Sequence, residues 1–355
     1  MTSGRDHDHG HEHDDQGPSH GRLAWVLYLI PFLHRHEEPI FGSGPETTER
    51  GIWATKVGLL GLTATAALQF VVVLLTGSVA LLADTIHNFS DALTSVPLWI
   101  AFAAAGRAAN RRYTFGYAKA EDLAGAFIVV MMLVSAVVIG YESINRLANP
   151  QPLSNLWLVI VAALIGFVGN EAVAVSRIRI GRQIASAALV ADGMHSRADG
   201  LTSLAVLVGA IGVAAGFELA DPIVGLLIGV AILFIAKDSA FTIWQHLMDA
   251  ADPAIAETLE RVASDVDGVE RLGVVRVRWT GHRLRAELNV IVDEDLTTRE
   301  SHRVAQEVRH VLFHAQPQLA DVAVHIDPCG HGGGETHAET VHHEPSQHST
   351  PAGGA

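Results

Sequence analysis

Cysteine is almost absent from this chain. The single thiol, Cys329, excludes an intramolecular disulfide, and no Cys-x-x-Cys pair exists to build a zinc ribbon or a thioredoxin-like redox centre. Any metal chemistry therefore falls to His, Asp and Glu. Charge is also scarce: Asp, Glu, Lys and Arg make up 17% of the 355 residues, against about a quarter in ordinary soluble domains. With 49% apolar side chains and a mean hydropathy of +0.28, this composition argues against a soluble enzyme. Positive charge is the scarcer sign. Twenty-four Lys and Arg against 38 Asp and Glu give a formal charge of −14, which disfavours a nucleic-acid partner held by counterion release and suits the handling of cations.

Histidine is in excess, with 20 copies, of which 12 lie near the ends of the chain. Residues 1 to 20 and 331 to 355 are low-complexity sequence that cannot bury a core, so both are expected to be disordered tails that either concentrate metal or are simply solvated. Leu23 to Leu33 is an apolar run interrupted by Pro31. It is too short for a span of about 20 helical residues and reads as an interfacial segment.

Between Gly51 and Lys237 six apolar stretches follow: Val57 to Leu75, Val79 to Ala105, Leu123 to Tyr141, Leu156 to Asn170, Ile184 to Phe217 and Pro222 to Ala236. The first and third carry no charge, and each is long enough to cross a bilayer at 1.5 Å per residue. The second and fifth are interrupted by Asp and His. Basic residues collect between spans 2 and 3 (Arg107, Arg111, Arg112, Lys119) and between spans 4 and 5 (Arg177, Arg179, Arg182). These loops are then cytoplasmic, as are both termini. The lack of a cleavable signal favours a bacterial inner membrane. Past Met248 the chain turns polar. Asp252-Pro253 marks a helix start, alternating strands run from Leu272 to Trp279 and Leu284 to Val292, a helix from Thr297 to about His314, and a last strand from Val322 to Ile326. The expected organisation is a tail over 1–50, an α-helical membrane domain of six transmembrane helices over 51–250, a cytoplasmic α+β domain of order α-β-β-α-β over 251–328, and a tail over 329–355.

The strongest internal signal is a repeat. SVALLADTIHNFSDALTS at 78–95 matches SAALVADGMHSRADGLTS at 186–203, with 10 of 18 positions identical. Spans 2 and 5 cross in opposite directions, which is the arrangement of an inverted-topology repeat with its substrate site near the midplane. On a helix, positions i and i+4 share a face, so His87 with Asp91 and His195 with Asp199 form two matched pairs. Two imidazoles and two carboxylates suit tetrahedral Zn²⁺, with Cd²⁺ or Co²⁺ as neighbours in preference. Carboxylates at membrane depth cost at least ~2.5 to 3.5 kcal/mol each on insertion scales, a cost that a bound dication offsets. Asp84 and Asp192, three residues before each histidine, are either supporting partners of the ligands or helix-start groups. Glu171, late in span 4, is either a proton carrier or the partner of Arg177. A membrane metalloenzyme is a competing reading, but four protein ligands close the coordination that catalysis needs open, and the chain has no His-Glu-x-x-His. A metal-sensing membrane protein leaves the duplicated pairs unexplained.

With these motifs the sequence resembles the cation diffusion facilitator family of zinc transporters over roughly residues 52 to 328. Tyr113-Thr-Phe-Gly-Tyr-Ala-Lys-Ala-Glu121 also looks like that family's signature after helix 2. The resemblance implies six membrane helices, a metallochaperone-like (ferredoxin-like) cytoplasmic domain, a homodimer in the lipid bilayer, and exchange of cytoplasmic Zn²⁺ for protons at His87, Asp91, His195 and Asp199. It further implies a zinc site between cytoplasmic domains, for which His302, His325 and Asp327 match part of the set. Gly273 and Arg285 stand where other ligands belong, with His282 close by. Lys119 and Asp249 resemble a charge pair that ties the membrane dimer together. A second site known in the helix 2 to 3 loop of some members is expected to be missing, because Asn110 to Tyr117 carries tyrosines at the relevant positions.

Overall fold

The computed structural model of the chain describes residues 44–76, 85, 88–148, 156–217 and 219–329. The His-rich tails, the Leu23 to Leu33 run, Asp84 and His87 lie outside the described residues. Among the described residues the membrane domain shows α1 (Gly44–Thr76), α2 (Ser95–Ala105), α3 (Lys119–Ala148), α4 (Leu156–Gln183), α5 (Ala187–Ala214) and α6 (Ala220–Leu247). Residues 88–93 are also helical, and helical torsions continue through Thr94 into α2 (φ −62°, ψ −21°). Among the described residues, the five helices other than α2 are long and apolar enough to cross a membrane. The span expected from Val79 to Ala105 lies partly outside them.

A bilayer offers no water to backbone groups, so long uninterrupted helices are the way this composition satisfies its own N–H and C=O groups. Large apolar side chains such as Leu60, Val137, Tyr141, Trp157, Leu227 and Phe234 are exposed on the helix surfaces, far more than a soluble protein leaves in water. The interior is built instead around Leu98, Phe102, Ile128, Met132 and Leu189, interleaved with Ala54, Ala101, Ala124, Ala188, Ala191 and Ala236. Small residues of this kind let helices approach closely where no hydrophobic force separates protein from lipid.

The C-terminal domain follows the expected order: α7 (Pro253–Ser264), β1 (Arg271–Thr280), β2 (Arg283–Val292), α8 (Thr298–Ala315) and β3 (Leu319–Pro328). Asp252 caps α7 by accepting from Ala254 N at 3.0 Å. At α8, Thr297 and Glu300 form a reciprocal capping box. The sheet order is β1-β2-β3. β1 and β2 pair antiparallel through a tight hairpin, whereas β2 and β3 pair parallel, which requires the α8 crossover between them. Leu259, Leu284, Leu288, Val290, Val308 and Leu312 fill the layer between sheet and helices. Gly273 sits where β1 shifts register between Leu272 and Val275.

The hairpin tip joins the two domains. Gly281 has φ +60°, the positive value that a two-residue turn with glycine at its first central position requires. A Cβ at Gly281 would lie 2.8 Å from Glu121 Oε2 and 2.9 Å from the Ala118 carbonyl. His282, beside it, is buried and places Nδ1 2.7 Å from Glu121 Oε2. Its Nε2 lies 3.1 Å from Thr47 Oγ1 at the start of α1. Arg283 donates to Thr48 Oγ1 at 3.1 Å; burial lowers its guanidinium pKa from the ordinary value, and the charge of Glu121 opposes that. Gly116 also has positive φ, +80°, but a Cβ there would meet nothing within 4 Å. Gly281→Ala should therefore lower the thermal unfolding midpoint of the detergent-purified protein, through a loss of more than ~1 kcal/mol, and Gly116→Ala should lower it distinctly less. Equal shifts would show that the hairpin tip is not seated on α3.

Candidate metal centre

Helix α5 enters the membrane domain from the side of the hairpin of the C-terminal domain. Its first turn is capped by Ser186, which accepts from Leu189 N at 3.1 Å and donates to Glu121. From there one face of the helix carries Asp192, His195, Ser196, Asp199 and Ser203, all buried. Helical periodicity aligns these positions, so the polar residues form a stripe rather than a scatter. His195 Nδ1 lies 3.9 Å from Asp199 Oδ1. On the facing helix Asp91 is equally buried, and its carbonyl accepts from both Thr94 N at 3.1 Å and Thr94 Oγ1 at 2.6 Å.

Two polar layers bracket this level. Toward the hairpin side, Ser95, one turn beyond Asp91, donates to Asp192 Oδ1 at 3.4 Å. Asp192 in turn lies one turn before His195. Arg177 of α4 closes the layer, with a guanidinium nitrogen 3.1 Å from Asp192 Oδ2 and bonds of 2.9 Å to both Ser196 Oγ and Ser95 Oγ. On the far side, Asn88 donates to Gln69 Oε1 at 2.7 Å, and Gln69 donates to the Ala162 carbonyl at 3.2 Å. A Cβ on Gly166 would lie 2.7 Å from Ser203 Oγ and 2.9 Å from Gln69 Nε2, so Ser203 adjoins that layer. Because α2 and α5 run in opposite directions, these links set Asp91 level with His195 and Asp199. Among the described residues no three His, Cys, Asp or Glu side chains already form a metal-holding cluster, and His87 lies outside those residues.

Three sequence expectations need correction. Glu171 does not pair with Arg177; it forms a bidentate pair with Arg197 of α5 at 2.7 and 3.2 Å. Residues six apart on one helix point in different directions, whereas i+3 and i+4 neighbours meet. Asp192 is not a helix-start group, because Ser186 caps α5 and Asp192 is committed to Arg177. His282 does not join His302, His325 and Asp327. It sits at the hairpin, while β3 pairs His325 with Asn289 and Asp327 with Ile291, about 20 Å along β2 at roughly 3.3 Å per residue. His325 Nε2 and Asp327 Oδ1 are 3.0 Å apart on β3, the first exposed and the second half-buried; His302 is exposed on α8.

Lys119 and Asp249 pair at 2.8 Å within the one chain. Lys119 also donates to the His246 carbonyl at 2.8 Å and lies 3.5 Å from buried Asp122. The pair therefore ties the start of α3 to the end of α6. The residues that sequence reasoning passed over are Gln69, Asn88, Ser95 and Ser203, while Arg177 reads from sequence as a loop residue. A signal for two of them was present: the repeated Leu-Thr-Ser puts Ser95 and Ser203 at equivalent positions, one turn beyond Asp91 and Asp199.

A helical membrane domain with a buried acidic and imidazole stripe, followed by an α-β-β-α-β domain, defines a metal-ion transporter of the cation diffusion facilitator class. The comparisons agree, and the chain belongs to that family: residues 55–248 match the cation efflux transmembrane domain and residues 251–329 the cation efflux protein cytoplasmic domain. It is 47% identical over 327 residues to the probable cation efflux system protein Rv2025c of Mycobacterium tuberculosis, covering 92% of this chain and 96% of the relative. Magnetosome protein MamB of Paramagnetospirillum magneticum is 27% identical over 72% of this chain and 87% of its own length. The manganese efflux system protein MneP of Bacillus subtilis is 26% identical over 79% and 98%. A solved MamM-CTD structure matches 22% of this chain and 98% of its own, at 20% identity and a TM-score of 0.22. The protein is thus an integral membrane protein for divalent metal cation efflux.

The far layer can be tested by stability alone. Gln69→Leu deprives the Asn88 amide of its acceptor, which should cost ~1 to 3 kcal/mol and lower the thermal midpoint of the purified protein. An unchanged midpoint would show that the Asn88 to Gln69 bond carries none of the packing.

Proposed function

We propose that the chain exports Zn²⁺ from the cytoplasm in exchange for protons, holding the ion with His87, Asp91, His195 and Asp199, and that it works as a homodimer in a bacterial inner membrane. The observation that carries this reading is the buried stripe of α5, in which His195 and Asp199 share a face level with Asp91. A membrane domain does not retain such side chains without a cation to receive or a partner to neutralise. The matching His87 and Asp91 of the repeat supply the other half of a four-ligand set. Two imidazoles among four ligands favour Zn²⁺ over Mn²⁺, which prefers oxygen donors; Cd²⁺ and Co²⁺ remain the nearest competitors. The cytoplasmic-domain family supports dimerisation, and His302, His325 and Asp327 are candidates for a second, cytoplasmic zinc site.

Coupling follows from the ligands themselves. An imidazole binds metal only when neutral, and free histidine titrates near ~6.5, where the pH on the two sides of a membrane differs. Metal loading from the cytoplasm displaces protons, and acid on the far side competes with the metal and releases it. With Glu171 committed to Arg197, the ligand histidines are the proton carriers.

In proteoliposomes with an imposed pH gradient, Zn²⁺ flux should be stimulated by acid on the receiving side and abolished by Asp91→Ala or Asp199→Ala in protein that remains folded. Near-normal flux in either variant would sink the site assignment. His87→Asp should shift preference toward harder ions such as Mn²⁺, and an unchanged Zn²⁺ to Mn²⁺ ratio would remove the ligand histidines as the selector. Replacing both ligand histidines with Asp should move the pH dependence of flux to lower pH, checked between about pH 5 and 8.

A further inference from the structure

Arg177 is the largest of the fully buried side chains among the described residues, at 1% exposure. It is wedged where four helices meet. From α4 it reaches Asp192 and Ser196 on α5 and Ser95 on α2, and a Cβ added to Gly58 of α1 would overlap its guanidinium. Both hydroxyls are used in two directions: Ser95 accepts from Arg177 and donates to Asp192 Oδ1, and Ser196 accepts from Arg177 and donates to the Asp192 carbonyl, while Arg177 Nε and Asp192 Oδ2 have no hydrogen-bond partner among the described residues. A buried ion pair contributes little over a well-packed apolar pair of the same volume. Stability alone is thus a weak reason for a guanidinium in this position.

Its placement supplies a stronger one. The layer lies one helical turn from Asp91 and from His195, on the side facing the hairpin of the cytoplasmic domain. A dication approaching from that side along the seam between α2 and α5 meets an ion pair, whose guanidinium repels it and whose carboxylate attracts it, each with a force doubled by the ion's valence. The opposite layer, Gln69, Asn88 and Ser203, holds only neutral amides and a hydroxyl, whose oxygens can receive a cation. The two faces of the site are therefore closed in chemically different ways.

We propose that Arg177 and Asp192 form the cytoplasmic-side gate of the transport site, opened when an incoming dication takes the Asp192 carboxylate from the guanidinium. The gate rests on the reading of Asp91, His195 and Asp199 as ligands given above. Metal then passes from Asp192 to His195, one turn along the same face, and the guanidinium returns to Asp192 behind it.

The test reads access rather than transport. In a Cys329→Ser background, Ser95→Cys reports on the layer through its rate of reaction with a membrane-impermeant maleimide, in chelator, from either face of oriented membrane vesicles. Removing both charges together, Arg177→Gln with Asp192→Asn, leaves no unpaired buried charge. It should speed labelling from the cytoplasmic face about tenfold or more, with labelling from the opposite face unchanged. Arg177→Lys, which keeps the charge but cannot serve both serines and the carboxylate at once, should move the rate in the same direction by less. Unchanged rates in both variants overturn the gate, as does an equal rise from both faces, which marks general loosening. Zn²⁺ binding by calorimetry, compared between the reporter protein and its Asp199→Ala variant, tests the ligand reading separately. Equal binding there removes the site, whereas unaltered labelling removes only the gate.

Discussion

A polar group inside a bilayer has no water to fall back on, and the membrane domain is organised by that constraint. Helix α5 brings five polar side chains into the interior on one face, and three of them, Asp192, Ser196 and Ser203, meet a neighbouring helix. Asp192 draws in the guanidinium of α4, Ser95 and Ser196 accept hydrogen bonds from it, and Ser203 adjoins the amide of Gln69 from α1. The helix order around α5 is set by these demands as much as by the apolar cluster of Leu98, Phe102, Ile128 and Leu189. Hydrophobic packing has little to say about which helix neighbours which when lipid is as apolar as leucine.

Much of this was legible in the sequence, and for identifiable reasons. Helical period, uncharged length and the alternation of apolar residues in the strands between 251 and 328 are local properties, so the membrane helices and the α-β-β-α-β order could be read directly. The repeat exposed Asp91, His195 and Asp199 because a duplicated pattern stands out against a background of alanine and leucine. What failed was tertiary. Arg177 looked like one of several loop arginines, since nothing local reveals that α4 runs on to Gln183 and turns that residue inward. Glu171 was given the wrong partner because proximity in sequence was taken for proximity on a helix. His282 resembled a ligand by its neighbourhood in the chain, but its contact with Glu121 spans 161 positions, which no spacing argument reaches.

The inverted repeat is symmetric in sequence and asymmetric in partners. Ser95 and Ser203 occupy equivalent places, yet one serves an ion pair and the other neighbours a neutral amide. A pseudo-symmetric site of this kind presents the same ligands to both sides of the membrane. Direction has to come from whatever surrounds them, and here one side is an ion pair while the other holds only neutral groups.

Ser186 has a double role at the start of α5. Its oxygen receives the Leu189 amide that begins the helix, while its hydrogen goes to Glu121, whose other oxygen holds His282 of the hairpin. Three links therefore connect a loop of the cytoplasmic domain to the first turn of the helix bearing the proposed ligands. Hydrogen bonds tolerate only a few tenths of an ångström of stretch before they weaken. Any displacement of the C-terminal domain would therefore load the first turn of α5 directly, in the manner of a tendon attached at the end of a bone.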